Sequence, residues 1–185
     1  MKCLSLLSLF VLTFACQSEP PLIGEKTGTH WYKGNLHTHS LWSDGDDYPE
    51  MIMDWYKTNG YQFVGLSDHN ILQEGEKWRR VPNNSITMGA YEAYLEKYGV
   101  DWVTTREDTA GLEVKLKTLT EYRNLFEEEE SFLILKSEEI TDGFEGKPVH
   151  LNVTNVQTLV EPRHGNSLVE VIQNNIDAVL EQRAA

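Results

Sequence analysis

Short apolar runs alternate with amphipathic helical segments from His30 onward, the pattern of βα units around a mostly parallel sheet. The predicted strands cover residues 31–39, 61–67, 132–140 and 148–155. The predicted helices cover 48–59, 119–129 and a final segment from Leu168, with capping-box pairs Asp47/Glu50, Thr118/Glu121 and Ser167/Glu170 at their starts. The pattern therefore predicts an α/β fold.

One long stretch, residues 70–117, interrupts the alternation after the second predicted strand. It contains one predicted helix, 88–98, which Gly99 ends. An insertion at the carboxyl end of a strand covers the mouth of an α/β fold, where ligands bind, so this stretch is a candidate lid. The alternative is a structural excursion that packs through aromatic side chains: Trp78, Tyr91, Tyr94 and Trp102.

The first residues, MKCLSLLSLFVLTFAC, combine Lys2 with an apolar run that is too short to span a bilayer. This pattern predicts a signal peptide over 1–15, followed by a lipidated or flexible tether over 16–30. The segment Thr-Phe-Ala-Cys16 resembles a bacterial lipobox, with simple secretion as the alternative. We therefore expect an exported protein, either a cell-envelope lipoprotein of the periplasm or outer membrane, or a secreted one. Its only membrane contact would be the lipid on Cys16.

The net charge restricts the classes of binding partner, and the cysteine content restricts what can stabilise the fold. The 185 residues carry 16 Lys+Arg against 29 Asp+Glu, a formal net charge of -13, which disfavours binding to nucleic acid. Cleavage before Cys16 would remove Cys3 and exclude an intrachain disulfide, since the sequence has 2 cysteines. The exported fold would then depend on its core or on bound metal.

The sharpest chemical feature is a pair of histidines, His37 and His39, at the end of the first predicted strand. Strand alternation points both rings to one side, where they can bind one metal ion together. Asp44 follows in a glycine-containing turn, and Asp68-His69 ends the next strand. Because parallel strands end at one edge of a sheet, we expect these side chains to meet.

Two further groups extend this set. Glu138 and Glu139 end the third predicted strand, and His150 lies within the fourth. Alternation places His150, Asn152 and Thr154 on one face, a costly lining unless it binds a ligand or is hydrogen-bonded. A hydrogen-bonded core histidine is the alternative for His150.

Together these motifs resemble the PHP family, the polymerase and histidinol phosphatase domain, in particular its exported bacterial members. The resemblance covers about residues 31–185 and rests on His37-Thr-His39-Ser with Ser43-Asp44-Gly45, Ser67-Asp68-His69, Glu139 within Ser137-Glu-Glu-Ile-Thr141, and Val149-His150-Leu. It implies a PHP-like metal-dependent hydrolase domain. Its fold would be the N-terminal portion of a distorted (β/α)7 TIM-like barrel, with parallel strands, flanking helices and the long insertion.

The resemblance also implies the ligands of up to three divalent ions of Mn, Fe or Zn. His37 and His39 would bind the first, Glu139 would bridge it to a second held by His150, and Asp44 with His69 would bind a third. Glu139 rather than Glu138 matches the family carboxylate because it directly precedes the Ile-Thr pair. Asp68 would support catalysis by orienting a ligand imidazole.

The chain departs from the family pattern after His150. PHP domains complete their site with a further histidine and an Asp-x-His pair, and the one later histidine, His164, falls in a predicted loop. We therefore expect the chain to be an N-terminal portion of a longer protein.

The leading functional hypothesis is a phosphoesterase that hydrolyses a small phosphorylated substrate by a metal-bridged hydroxide. Arg79 and Arg80 are candidate substrate contacts, with solvated lid charges as the alternative. Two other hypotheses stay open: an amidohydrolase-type metal hydrolase, and a non-catalytic envelope protein with a remnant metal site.

Overall fold

The computed structural model describes residues 30–82 and 84–184. The predicted signal peptide, Cys16 and the tether up to residue 29 lie outside the described residues. From Tyr32 onward the chain forms one compact unit. Within the described ranges, no helix combines the length and the apolar character that crossing a membrane requires.

The described residues of this unit form four helices and seven strands. The helices are α1 (Pro49–Thr58), α2 (Ser85–Tyr98), α3 (Leu119–Phe126) and α4 (Leu168–Ala184). The strands are β1 (Gly34–Thr38), β2 (Phe63–Leu66), β3 (Trp78–Arg80), β4 (Thr105–Asp108), β5 (Gly111–Lys115), β6 (Leu133–Phe144) and β7 (Lys147–Thr154).

The central sheet has the strand order β1-β2-β6-β7, and its first three strands are parallel. The sheet is curled into a half-barrel. Across this curl, Asn152 Nδ2 on β7 donates to the Leu36 carbonyl on β1 at 2.5 Å, although these strands stand at opposite ends of the order. With helices along its flanks, the fold is mixed α/β, as predicted.

The expectation of a parallel fourth strand is wrong, because β6 and β7 form an antiparallel hairpin. The hairpin closes at the pair Phe144↔Lys147, with Glu145 at φ 51° and Gly146 at φ 74° between them. Positive φ at both central residues is the mark of the tight turn that joins antiparallel strands. The β6 strand also runs four residues beyond its predicted end at Ile140, which makes room for this pairing.

The insertion contains more secondary structure than its sequence pattern predicts. Besides α2, it holds a second, antiparallel sheet of order β3-β5-β4, whose short charged strands lack an apolar alternation. Its aromatic residues Tyr91, Tyr94 and Trp102 pack into cores with residues outside the insertion, as the structural interpretation predicts. Trp78 instead lies under the Arg106 guanidinium, 4.2 Å from the ring centroid.

The capping contacts at the helix starts agree with the sequence prediction for α3 and α4, but not for α1. The Thr118/Glu121 capping box of α3 is present in both directions, and Ser167 Oγ accepts from Glu170 N at 3.2 Å. The capping box predicted for α1 is absent, because the Glu50 side chain is fully buried against the insertion instead of reaching back to the helix start.

Alternation along the strands separates the core from the site. The outer face of the sheet places Val64, Leu66 and Ile134 against α1 and α3, where they are almost fully buried. The inner face of β6 carries Ser137, Glu139 and Thr141, so the polar positions converge inside the curl.

Candidate metal centre

The structure brings together all six side chains that the resemblance implies as metal ligands. They form three overlapping groups whose ligand atoms lie within 4.8 Å of one another. The groups are His37/His39/Glu139, His39/Asp44/His69 and His69/Glu139/His150. The side chains come from β1, the ends of β1 and β2, the hairpin strands β6 and β7, and the turn before α1.

Glu139 occupies the middle of the cluster, with a side chain that is only 4% exposed. Its Oε2 atom lies 3.3 Å from His37 Nε2, 2.9 Å from His39 Nε2 and 3.2 Å from His69 Nδ1. Despite these distances, Oε2 is buried without a hydrogen-bond partner. A buried carboxylate oxygen without a partner, ringed by three imidazole nitrogens, is the arrangement that a shared metal ion stabilises.

The other Glu139 oxygen faces the hairpin. His150 Nδ1 lies 3.0 Å from Oε1, which confirms that His150 belongs to the cluster. The antiparallel register of β6 and β7 explains this contact: it pairs Thr141 with His150 and Glu139 with Asn152, so His150 lies diagonally across from Glu139. The predicted polar face of β7 is therefore used by two contacts: His150 reaches Glu139, and Asn152 reaches β1.

Asp44 contacts two of the rings. Its Oδ1 lies 2.7 Å from His39 Nδ1, and its Oδ2 lies 3.5 Å from His69 Nε2. The hydrogen bond to His39, aided by the charge of the imidazoles, holds the pKa of Asp44 below its ordinary value. The carboxylate is thus an ionised acceptor at neutral pH.

Electrostatics also keep Glu139 ionised. Burial acts to raise its pKa, but the neighbouring imidazoles of His37, His69 and His150 together outweigh burial and lower it. Glu138 behaves in the opposite way. It points to the outer face, where Val160 N donates to its Oε1 at 2.7 Å, and burial raises its pKa to about 7. The structure therefore places Glu139 in the cluster and Glu138 outside it.

The expectation that Asp68 orients an imidazole is wrong, because its buried carboxylate has other partners. It accepts from Ser40 N and Ser40 Oγ at 2.8 Å, from Ser43 Oγ at 2.6 Å and from Gln73 Nε2 at 2.8 Å. Among the described residues, none of its hydrogen bonds involves a histidine. Asp68 instead holds the turn that carries Asp44 and ties it to the chain after β2.

Two cluster neighbours escaped the sequence analysis. Thr141 Oγ1 lies 2.5 Å from His69 Nδ1, and Asn70 bonds the Thr141 backbone. Alternation from Glu139 places Thr141 on the same face and offered a signal for it. Asn70 offered none, because its role depends on a left-handed backbone conformation with φ 47°.

The structure does not bring the two predicted substrate arginines to the cluster. Arg80 forms ion pairs with Glu113 at 3.0 Å and Asp108 at 3.5 Å within the insertion sheet. Arg79 lines a small cavity beside Leu41 and Tyr48. Across residues 30–82 and 84–184, no hydrogen bond or ion pair links either arginine to a cluster histidine, so the interpretation as lid charges fits better.

His164 also lies apart. It stands in a loop, as predicted, with Nδ1 at 2.6 Å from Asp142 Oδ1 on the outer side of β6. A cavity of about 1100 Å³, lined by Gln62, Phe63 and Leu133 among others, lies at the amino-terminal ends of the strands. Because the histidines gather at the carboxyl ends, this cavity is not part of the cluster.

The donor set of the cluster, imidazole nitrogens with carboxylate oxygens, suits a divalent transition metal. No protein-family model, curated protein or solved structure significantly matches the chain. The residues and their geometry are positioned to hold a metal ion.

Proposed function

We propose that this chain is a PHP-like, metal-dependent phosphoesterase that hydrolyses a small phosphate ester. The observation that carries the proposal is the Glu139 Oε2 atom, buried without a hydrogen-bond partner among three imidazole nitrogens. In a purely structural cluster we expect each buried carboxylate oxygen to accept a hydrogen bond. An atom left free but surrounded by lone-pair donors is best explained by a cation that they share.

The chain is acidic overall, which raises the question of how it would attract a phosphate ester. Clustered divalent ions supply the missing positive charge, bind phosphate oxygens and acidify water to give a nucleophile near neutral pH. This matches a net charge of -13 with an anionic substrate. Manganese, iron and zinc all suit the donor set.

The exposed fractions of the cluster side chains indicate the side from which a substrate would reach the site. Glu139 forms its buried floor, whereas the side chains of His37 and His150 are 55% and 37% exposed. A substrate would therefore reach the cluster from the side of these two rings. Asp68, beneath the opposite side, fixes the turn from Ser40 to Ser43 and stays out of contact with solvent.

The assignment of the half-barrel to a specific barrel type is part of the same proposal. Three parallel strands curl, and His37/His39, His69 and Glu139 lie near or beyond the carboxyl end of their paired segments. This arrangement supports the N-terminal portion of a distorted (β/α)7 barrel. Export as a lipoprotein through Cys16 is also proposed, on the signal-peptide pattern alone.

The test is metal-stimulated phosphate-ester hydrolysis by the full chain. We expect manganese or zinc to stimulate turnover of a chromogenic phosphate monoester or diester. His37→Ala should abolish this turnover, whereas His30→Ala, an exposed histidine before β1, should leave it unchanged. Equal turnover in wild type and His37→Ala, or none in a metal-loaded wild type across both ester classes, would contradict the proposal.

A further inference from the structure

The pairing of β1 with β2 changes register beside the metal centre. Asn35 pairs with Val64 and Thr38 pairs with Leu66, so three residue steps on β1 match two steps on β2. One extra residue on one strand is the pattern of a β-bulge, which bends the strand and re-aims its side chains. The bulge falls between Asn35 and Thr38, where the first candidate ligand lies.

The bulge decides which face of the sheet His37 occupies. Residues that pair directly point to the same face, and the partners of Asn35 and Thr38 lie on the buried outer face. Asn35 accordingly lies against α1, with its Nδ2 at 2.5 Å from the Tyr56 hydroxyl, and Thr38 lines a cavity with residues of the same helix. Strict alternation from Asn35 would place His37 on this outer face too. The extra residue turns it to the inner face, where its Nε2 lies 3.3 Å from Glu139 Oε2.

Asn35 also binds the backbone of the bulge. Its Nδ2 donates to the His37 carbonyl at 3.2 Å, and its Oδ1 accepts from His37 N at 3.2 Å. From β7, Asn152 Nδ2 donates to the Leu36 carbonyl at 2.5 Å. The strand β1 ends the strand order of the described sheet, and a bulge leaves backbone groups without ladder partners. These two side-chain amides therefore supply hydrogen bonds that the ladder does not.

The His37 ring has little support of its own. It is 55% exposed, and within the described residues its one hydrogen bond or ion pair is the 3.3 Å contact with Glu139. His39 has a second contact, with Asp44 Oδ1 at 2.7 Å from its Nδ1. His150 contacts Glu139 alone, but it lies in the regular β6–β7 ladder, which fixes its backbone. The direction of the His37 ring is therefore set by the backbone of the bulge.

We propose that Asn35 is a positioning residue of the metal centre: its side-chain amide fastens the bulge and thereby holds the His37 ring toward Glu139. The inference rests on the proposed metal-dependent function. The amide makes two bonds to the His37 backbone and one to Tyr56, so it links α1 to the bulge. Loss of this amide removes no ligand, but it leaves the ring free to turn away from Glu139.

The first test is hydrogen exchange of the His37 backbone N–H, measured by NMR on the metal-free full chain. We expect protection in the wild type and in Asn35→Asp, which keeps an acceptor oxygen, and about 10-fold faster exchange in Asn35→Ala. Asn174→Ala is the matched control, because Asn174 Nδ2 donates to a backbone carbonyl elsewhere, that of His164, at 2.7 Å. It should leave this exchange unchanged. Equal exchange in wild type and Asn35→Ala would overturn the inference.

The second test is a double-mutant cycle on zinc affinity, measured by competition with a chromogenic chelator. Asn35→Ala should weaken zinc binding by roughly 10- to 100-fold, the range for residues that orient a metal ligand, whereas Asn174→Ala should leave it unchanged. In a His37→Ala background, Asn35→Ala should have no further effect, because the ring that it positions is absent. A purely structural role for Asn35 would lower the affinity in both backgrounds.

The results distinguish this inference from the function on which it rests. Equal losses of zinc affinity in both backgrounds, or unchanged binding in Asn35→Ala, would overturn the role of Asn35 and leave the proposed function intact. A wild type that binds no zinc, manganese or iron would instead overturn the proposed function, while the exchange measurement still decides whether Asn35 fastens the bulge.

Discussion

Asn70 holds the backbone of Thr141 with both ends of its side-chain amide. Its Oδ1 accepts from Thr141 N at 2.7 Å, and its Nδ2 donates to the Thr141 carbonyl at 2.8 Å. Asn70 N also donates to the Glu139 carbonyl at 3.0 Å, so the pairing of β2 with β6 continues past the end of β2. This extension places His69 between Asp44 and Glu139.

Removing this amide should loosen the cluster and the fold together. Asn70→Ala leaves the Thr141 backbone groups without their partners, and we expect a loss of about 1–3 kcal/mol in the free energy of unfolding, measured with urea. Asn70→Gly distinguishes the effect of the lost amide from that of the strained backbone, because glycine tolerates the φ of 47°. If Asn70→Gly restored wild-type stability, the backbone conformation and not the amide would be the cause.

Asp142 should make stability depend on pH in acid. Burial acts to raise its pKa, but hydrogen bonds from Asn175, Gly143 N and His164 outweigh burial and lower it to about 2 from 3.8. Ionised Asp142 then contributes about 2 kcal/mol at neutral pH, which is lost as the pH falls from about 4 through 2. Urea unfolding of wild type and Asp142→Asn should converge across this range. A difference that stays constant with pH would contradict the assignment.

Glu50 should make the free energy of unfolding fall as the pH rises, which is the opposite of the effect of Asp142. Its Oε1 accepts from Tyr94 OH at 2.6 Å and from Trp102 Nε1 at 2.7 Å, whereas its Oε2 is buried without a partner. Burial raises its pKa above 4.5, so the folded state prefers the neutral acid and loses stability as the pH rises above that value. Glu50→Gln should flatten this decline above pH 4.5. An identical decline in both proteins would show that Glu50 is not its source.

Gly45 should be intolerant of a side chain. A Cβ at this position would meet the His39 carbonyl oxygen at 2.5 Å, and backbone atoms cannot rotate away. We expect Gly45→Ala to cost about 1–3 kcal/mol in unfolding free energy and to weaken metal binding, because it displaces the turn that carries Asp44. Gly89→Ala is the matched control. It lies in α2 with nothing within 4 Å of its Cβ and should be neutral or stabilising by up to about 1 kcal/mol. Equal effects of the two substitutions would contradict this reasoning.

Sequence patterns predicted the site better than they predicted the fold around it. Alternation and strand ends pointed to His37, His39 and His150, the family resemblance implied the full set of six ligands, and all six meet in the cluster. The partners of Asp68 could not be predicted in the same way. Whether its carboxylate reaches a histidine or the Ser40–Ser43 turn depends on the path of the loop, and serine hydroxyls carry no periodic signal.

The errors in the fold have physical causes as well. The strand β7 has the apolar content of a buried strand, but the positive φ of Glu145 and Gly146 turns it back against β6. The strands of the insertion are three to five residues long and carry charges such as Arg80 and Glu113 on their surfaces. Their pairing with each other, rather than their own sequences, makes them strands.

The most direct test of the metal centre is the metal content of the full chain, measured by elemental mass spectrometry after loading with manganese or zinc and removal of excess ion. The matched proteins are wild type, His37→Ala/His150→Ala and His30→Ala. We predict two or more ions per chain in the wild type and in His30→Ala, and a loss in the double variant. A wild type without bound metal, or a double variant that retains the wild-type content, would contradict the account.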